Sequence, residues 1–228
     1  MKVASLSHAG SRPSLSKSAS ILQRFSELNC AIAIVITSGH LYLSTNLSPF
    51  CYTYLLVASV FHSLFRFLVR DRISVSDTVM LWFLTVASLI LLQSVVIGDA
   101  NFQVLKLLTL LLSTFLISIT IPARRMGDCL CFLILTIAII SLFNFVANNV
   151  FGVFIGGHQI ENVNGVIYRG TPVGYYFDNW LSIRSIGVFW EPGLFANWLT
   201  FAFLWMQHQM RQFGSIWMSL IFLFALVS

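Results

Sequence analysis

Charge is what this sequence has least of. Of 228 residues, 9% are Asp, Glu, Lys or Arg, while 57% are apolar. A soluble domain of this length carries about a quarter charged residues. So few charges cannot cover a soluble globule, whereas the lipid-facing side of a membrane protein needs none. Acidic residues are the scarcest, 8 against 13 Lys and Arg. They are scattered, and no His/Asp/Glu group has ligand spacing, so neither a metal site nor a cofactor is read from the residues. A nucleic-acid partner is not expected either. Cysteine is sparse as well. Cys30, Cys51, Cys129 and Cys131 lie in or beside apolar runs, so no disulfide framework is expected and they read as small packing residues. The N-terminus lacks the apolar stretch of a signal peptide. Residues 1–25 are Ser-rich and basic (Lys2, Arg12, Lys17, Arg24) and read as a disordered cytoplasmic tail.

What the chain has instead is long apolar runs. They fall at 28–45, 50–69, 79–97, 102–121, 129–151, 188–207 and 215–228. Most match the roughly 18 or more residues of a membrane-crossing helix, the form that satisfies a lone segment's backbone in lipid. The expected fold is all-α: a polytopic transmembrane bundle of about six to seven helices over 26–228, with one long extracytoplasmic loop at 152–187. Orientation follows from the 13 Lys and Arg. With the N-terminus in the cytoplasm, ten fall inside and only Lys106, Arg169 and Arg184 fall outside. The loop at 152–187 is rich in glycine and aromatics, too apolar for disorder, and is expected to fold back on the bundle. The last run follows Gly214, is short for a span and ends without a charged flank, so the chain is read as a fragment. No internal repeat and no pair of matching broken helices points to a secondary transporter.

The densest polar chemistry lies in 182–198, which reads SIRSIGVFWEPGLFANW. Pro192 suits the first position of a helix, where a missing N–H costs nothing. Glu191 then stands at or beside the N-cap, against the positive end of the helix dipole. Arg184 and Glu191 are expected together at the outer mouth of that helix.

The string Arg184-x-x-Gly187-x-Phe189-x-Glu191-Pro192-Gly193 resembles the Arg-x-x-Gly-x-Phe-x-Glu-Pro-Gly signature of bacterial O-antigen polymerase and O-antigen ligase-like membrane proteins. The resemblance covers about 15 residues. It implies a helical membrane glycosyltransferase in O-antigen, capsule or exopolysaccharide assembly, acting on oligosaccharides carried by undecaprenyl diphosphate at the periplasmic face of the inner membrane. Membrane lipids, a chain-length regulator and a flippase are the partners it suggests. Family members are typically longer and often carry a second large periplasmic loop, which this sequence lacks.

Transfer from a lipid diphosphate needs cations for the leaving pyrophosphate and a group to orient or deprotonate the acceptor hydroxyl. Arg184 suits the first task through its planar fork; its alternatives are pairing with Glu191 or with a lipid headgroup. Glu191 is a candidate base or a helix cap. Arg169 is a second phosphate candidate or a solvated charge. Lys106 either reaches the diphosphate or snorkels to the interface. Tyr175 and Tyr176 either stack on sugar or belong to the aromatic belt. Two other functions stay open: a flippase or transporter of lipid-linked glycans, and an inactive truncated membrane subunit.

Overall fold

The computed structural model describes residues 17–38, 48–69, 75–97, 102–151, 158–161, 167–171, 174–179, 182–187 and 192–209. Among them are six helices: α1 (Lys17–Thr37), α2 (Ser48–Val69), α3 (Asp77–Ile97), α4 (Phe102–Thr120), α5 (Ala123–Phe151) and α6 (Pro192–Gln209). Three stretches, Pro49–Val69, Gln103–Thr120 and Ala123–Ala147, are long and apolar enough to cross a membrane. A helical membrane protein is therefore the class.

Local chemistry explains the helix ends. Asp77 in the first turn of α3 faces the positive end of that helix's dipole. Between α4 and α5 stand only Ile121 and Pro122. Proline cannot continue α4, because it lacks the N–H and its ring crowds the preceding turn. Its carbonyl instead accepts from the backbone N–H groups of Arg125 (2.9 Å) and Met126 (3.1 Å), which starts α5. Pro192 opens α6 at the position where its missing N–H costs nothing.

The structure differs from the sequence reading in two places. Helix α1 begins at Lys17, so the tail expected over 1–25 is helical from 17 onward, and the run expected at 28–45 starts earlier. The cause lies in distant residues: Gln23, Ser26 and Glu27 are buried against groups from α2 and α5. The second difference is in the expected loop, where an all-α fold gives way to a four-stranded sheet. Its strands are β1 (His158–Glu161), β2 (Ile167–Thr171), β3 (Gly174–Asn179) and β4 (Ser182–Gly187), antiparallel in the order β1-β2-β3-β4. Aromatic residues in β3 favour a pleated strand. Thr171 pairs with Gly174 and Asn179 with Ser182, so β2, β3 and β4 are joined by two-residue connections. β3 and β4 pack on α5, and β4 also packs on α6. The run expected at 215–228 lies outside the described residues.

The helices run alternately up and down. Along α1 and α2, Thr37 Oγ1 donates to the Cys51 carbonyl (3.4 Å), Cys30 Sγ to the Ala58 carbonyl (3.5 Å), and Ser26 Oγ lies 2.8 Å from His62 Nδ1. This order shows the pair to be antiparallel. Lys106 near the start of α4 sits over the Tyr52 ring near the start of α2, 4.8 Å from its centroid, so α4 runs alongside α2 in the same direction. Helices α5 and α6 are antiparallel, through Cys131 Sγ to the Ala202 carbonyl (3.7 Å) and Trp205 Nε1 to Asp128 Oδ1 (3.0 Å). Small residues make these approaches possible. Cys30, Ala31, Ala33, Ala58, Ala138 and Ala202 are all buried in one core with Phe195 and Leu199. Close backbone approach through small side chains is how helices associate when lipid supplies no hydrophobic drive. Outward faces stay apolar, with Phe67, Leu68, Leu81 and Trp82 all exposed. The bundle thus has two ends. One carries the sheet, Lys106 and the start of α6. The other carries Glu27, Arg125 and the end of α6.

Candidate functional site

At the sheet end, strand register decides which candidates share a face. Arg169 pairs with Tyr176, which pairs with Ser185. Tyr168 pairs with Phe177, which pairs with Arg184. Adjacent rows of a pleated sheet lie on opposite faces. Arg169 and Tyr176 therefore belong to one face, and Arg184 to the other, with Tyr168. Tyr175 pairs with Gly170 and shares the Arg184 face; its neighbourhood on β4 carries a register shift between Tyr175 and Tyr176. Tyr168 is buried and Arg169 half-buried. The backbone thus groups Arg184 with Tyr175, and Arg169 with Tyr176, rather than gathering all four in one row.

Arg184 stands on β4, which packs against both α5 and α6, and the chain then leads to Pro192 at the start of α6. Glu191 lies outside the described residues. Lys106 belongs to the same end of the bundle but is half-buried over Tyr52. A cation over an aromatic face is attracted by the ring quadrupole, which gives Lys106 a structural partner. Asn144, in α5, is also buried.

The opposite end holds a polar network that the sequence reading missed. Glu27 is almost completely buried, its side chain 3% exposed. Its Oε1 accepts from Gln23 Nε2 at 2.8 Å and from Arg125 Nη1 at 3.1 Å. Beside it in sequence, Ser26 Oγ donates to the Gln23 carbonyl at 2.8 Å. Ser26 Oγ also lies 2.8 Å from His62 Nδ1, a contact whose direction follows the imidazole tautomer. His62 is fully buried, and its Nε2 finds no hydrogen-bond partner among the described residues. For His62 the signal was present, since it interrupts the apolar run 50–69. Ionisable groups within membrane helices are costly and tend to be functional.

Between α1 and α5 at this end lies a cleft of about 770 Å³. Arg24, Glu27, Arg125 and Asp128 line its polar part; Leu28 and Phe132 line its apolar part. All four cysteines are free. Among the described residues no three His, Cys, Asp or Glu side chains gather as metal ligands. No protein-family model, curated protein or solved structure matches this chain.

Proposed function

We propose that this chain is a polymerase- or ligase-like membrane glycosyltransferase for oligosaccharides carried on undecaprenyl diphosphate, acting at the periplasmic face of a bacterial inner membrane. The observation that carries this reading is the junction from β4 to α6. A strand bearing Arg184 packs on α5 and α6 and leads directly into a helix that opens at Pro192. Arg184 thus belongs to a sheet packed on the bundle, and a donor with its tail in lipid would present its headgroup at such an end.

In the transfer, the acceptor oxygen forms a bond to the anomeric carbon of the donor sugar. The bond from that carbon to the phosphate oxygen breaks, and the lipid diphosphate leaves with the electron pair. Arg184 offsets the charge that accumulates on the diphosphate, with a fork that never deprotonates. Glu191 orients the acceptor hydroxyl or takes its proton. Tyr175, on the face of Arg184, is the better placed of the two tyrosines to stack on sugar. Arg169 and Tyr176, on the other face of the sheet, and Lys106, over Tyr52, are left out of the transfer step. A chain-length regulator and a flippase are the protein partners this reading brings with it.

The test is the surface polysaccharide ladder of a null strain complemented with each variant, with membrane levels checked by blot. Arg184→Lys keeps the charge but loses the bidentate fork, so it loses much of the activity. A normal ladder from well-expressed Arg184→Ala ends the proposal for that residue. Reporter fusions at Gly157 and Arg124 report sidedness. Periplasmic and cytoplasmic signals respectively are expected, and the reverse removes the donor from the sheet side.

One observation favours a second reading, a flippase or transporter of the same lipid-linked glycan. Glu27 and His62 are buried ionisable groups inside the bundle, of the kind that transport pathways use. Under that reading His62→Ala stops translocation of the lipid-linked glycan across vesicles. Under the transferase reading His62→Ala leaves translocation to a separate protein.

A further inference from the structure

The α1–α5 cleft lies at the end of the bundle away from the sheet, and its chemistry is independent of the glycan-transfer reading. Its volume, about 770 Å³, falls in the range of small-ligand sites, roughly 300–1,000 Å³. The lining is ordered. Ser20, Gln23 and Arg24 line it on the early turns of α1, and Arg125 and Asp128 on the first turns of α5. One turn further along each helix the lining becomes apolar, with Leu28 on α1 and Cys129 and Phe132 on α5. Because α5 contains a stretch that can cross a membrane, Ala123–Ala147, the polar part sits at the bilayer interface and the apolar part below it.

The charges of the lining sort themselves. Glu27 is engaged by Arg125 and Gln23 through one oxygen, so that pair is neutral in sum. What remains is a cation on the α1 wall, exposed Arg24, and a carboxylate on the α5 wall, exposed Asp128, held by Trp205 Nε1 through Oδ1. Arg125 bonds Glu27 through Nη1, is half exposed and lines the cleft, which leaves its guanidinium open to a second acceptor. A cleft with a cation on one wall, an anion on the other and an apolar floor matches a zwitterionic amphiphile.

We propose that this cleft binds a phospholipid with a primary-ammonium headgroup, its phosphate held by Arg24 and Arg125, its ammonium by Asp128, and its chain along Leu28 and Phe132. Two signs of charge favour this occupant over an anionic lipid, whose headgroup gives Asp128 no partner. The carboxylate favours a primary ammonium, with three N–H donors, over a quaternary one, which has none.

Native mass spectrometry of the full chain in detergent tests this, using phosphatidylethanolamine, phosphatidylcholine and phosphatidylglycerol of matched chains, and chain-free O-phosphoethanolamine. A one-to-one phosphatidylethanolamine adduct about tenfold tighter than the other two lipids is expected, as one charge-assisted hydrogen bond supplies. Arg24→Glu weakens that adduct about tenfold or more by the same reckoning. Asp128→Asn, whose amide oxygen still accepts from Trp205, erases the preference over phosphatidylcholine. Both substitutions lie at exposed positions, and an unchanged thermal midpoint confirms that each variant is folded. Equal binding of ethanolamine and choline lipids overturns the proposal. So does tightest binding of phosphatidylglycerol, or an adduct indifferent to Arg24→Glu. If O-phosphoethanolamine binds as tightly as the lipid, the apolar floor is unused and the lipid assignment falls.

Discussion

The two ends of the bundle are built by different means. At the sheet end the candidate residues are close in sequence: Arg169, Tyr175, Tyr176 and Arg184 lie on three successive strands joined by short connections. At the opposite end Ser26 meets His62 across 36 residues, and Glu27 meets Arg125 across 98. The first arrangement survives as a string of letters. The second exists only once α1, α2 and α5 have come together. A motif can therefore point to the sheet end from sequence alone, while nothing in the local pattern of α1 announces that Glu27 will be buried.

Substitutions at each end sharpen this contrast, because the sheet end is expected to carry chemistry and the other end stability. The largest effect is on transfer. Arg184→Ala is expected to cut glycan transfer by about two to three orders of magnitude, the worth of roughly 3–4 kcal/mol in a transition state, with the thermal midpoint unmoved. Rates come from the ladder assay and midpoints from unfolding in detergent. A fall in the midpoint that accounts for the lost activity would break the contrast. The companion Glu191→Gln stays largely active if Glu191 caps α6 and collapses if it is the base.

Next in size is the buried pair. Arg125→Ala leaves the Glu27 carboxylate buried without its cation, which costs about 2–4 kcal/mol, toward the lower side of buried pairs because Arg125 is 50% exposed. The double change Glu27→Gln with Arg125→Gln removes both charges and recovers most of that loss. Equal midpoints for the single and double variants would mean the pair contributes through packing alone.

A smaller effect is expected where α5 meets α6. Gly127 lies against the Trp205 ring so closely that any Cβ collides with it. The ring is held by its bond to Asp128, so it cannot simply swing away. Gly127→Ala is expected to cost about 1–3 kcal/mol as overpacking, read as a lower midpoint. Trp205→Leu in the Gly127→Ala background should restore part of it.

The smallest effect is at Lys106. Lys106→Gln loses a cation–π contact worth about 0.5–1 kcal/mol. A midpoint shift of that order with transfer intact makes Lys106 a packing residue. A large loss of transfer without one returns it to the substrate.

Hydropathy made most of the helices legible. The runs expected at 50–69, 79–97 and 102–121 agree closely with α2, α3 and α4, because each is a continuous apolar stretch between polar or proline breaks. The start of α6 was legible from Pro192, whose fixed φ admits few other positions. The sheet was not. Its strands carry Gly170, Gly174 and Gly187 among aromatics, so neither strict alternation nor turn dipeptides stand out. The early turns of α1 were hidden for a different reason. Ser20, Gln23 and Arg24 read as a polar tail, and only His62 and Arg125, far along the chain, draw Gln23, Ser26 and Glu27 into a buried network. The faces on which Arg169, Tyr175, Tyr176 and Arg184 stand were not legible, since a face depends on register and register depends on hairpin connections that the sequence marks weakly.

The pairing of Glu27 with Arg125 also has a clock. A ribosome adds roughly 5–20 residues per second, so the 98 residues between them take about 5–20 seconds to make. Throughout that interval the Arg125 cation does not yet exist. Gln23, a single helical turn upstream, is already synthesised and donates to the same oxygen that Arg125 later takes. That one donor is the partner the carboxylate has within its own helix. Removing that amide should therefore lower the yield of inserted protein more than it lowers the stability of the molecules that finish.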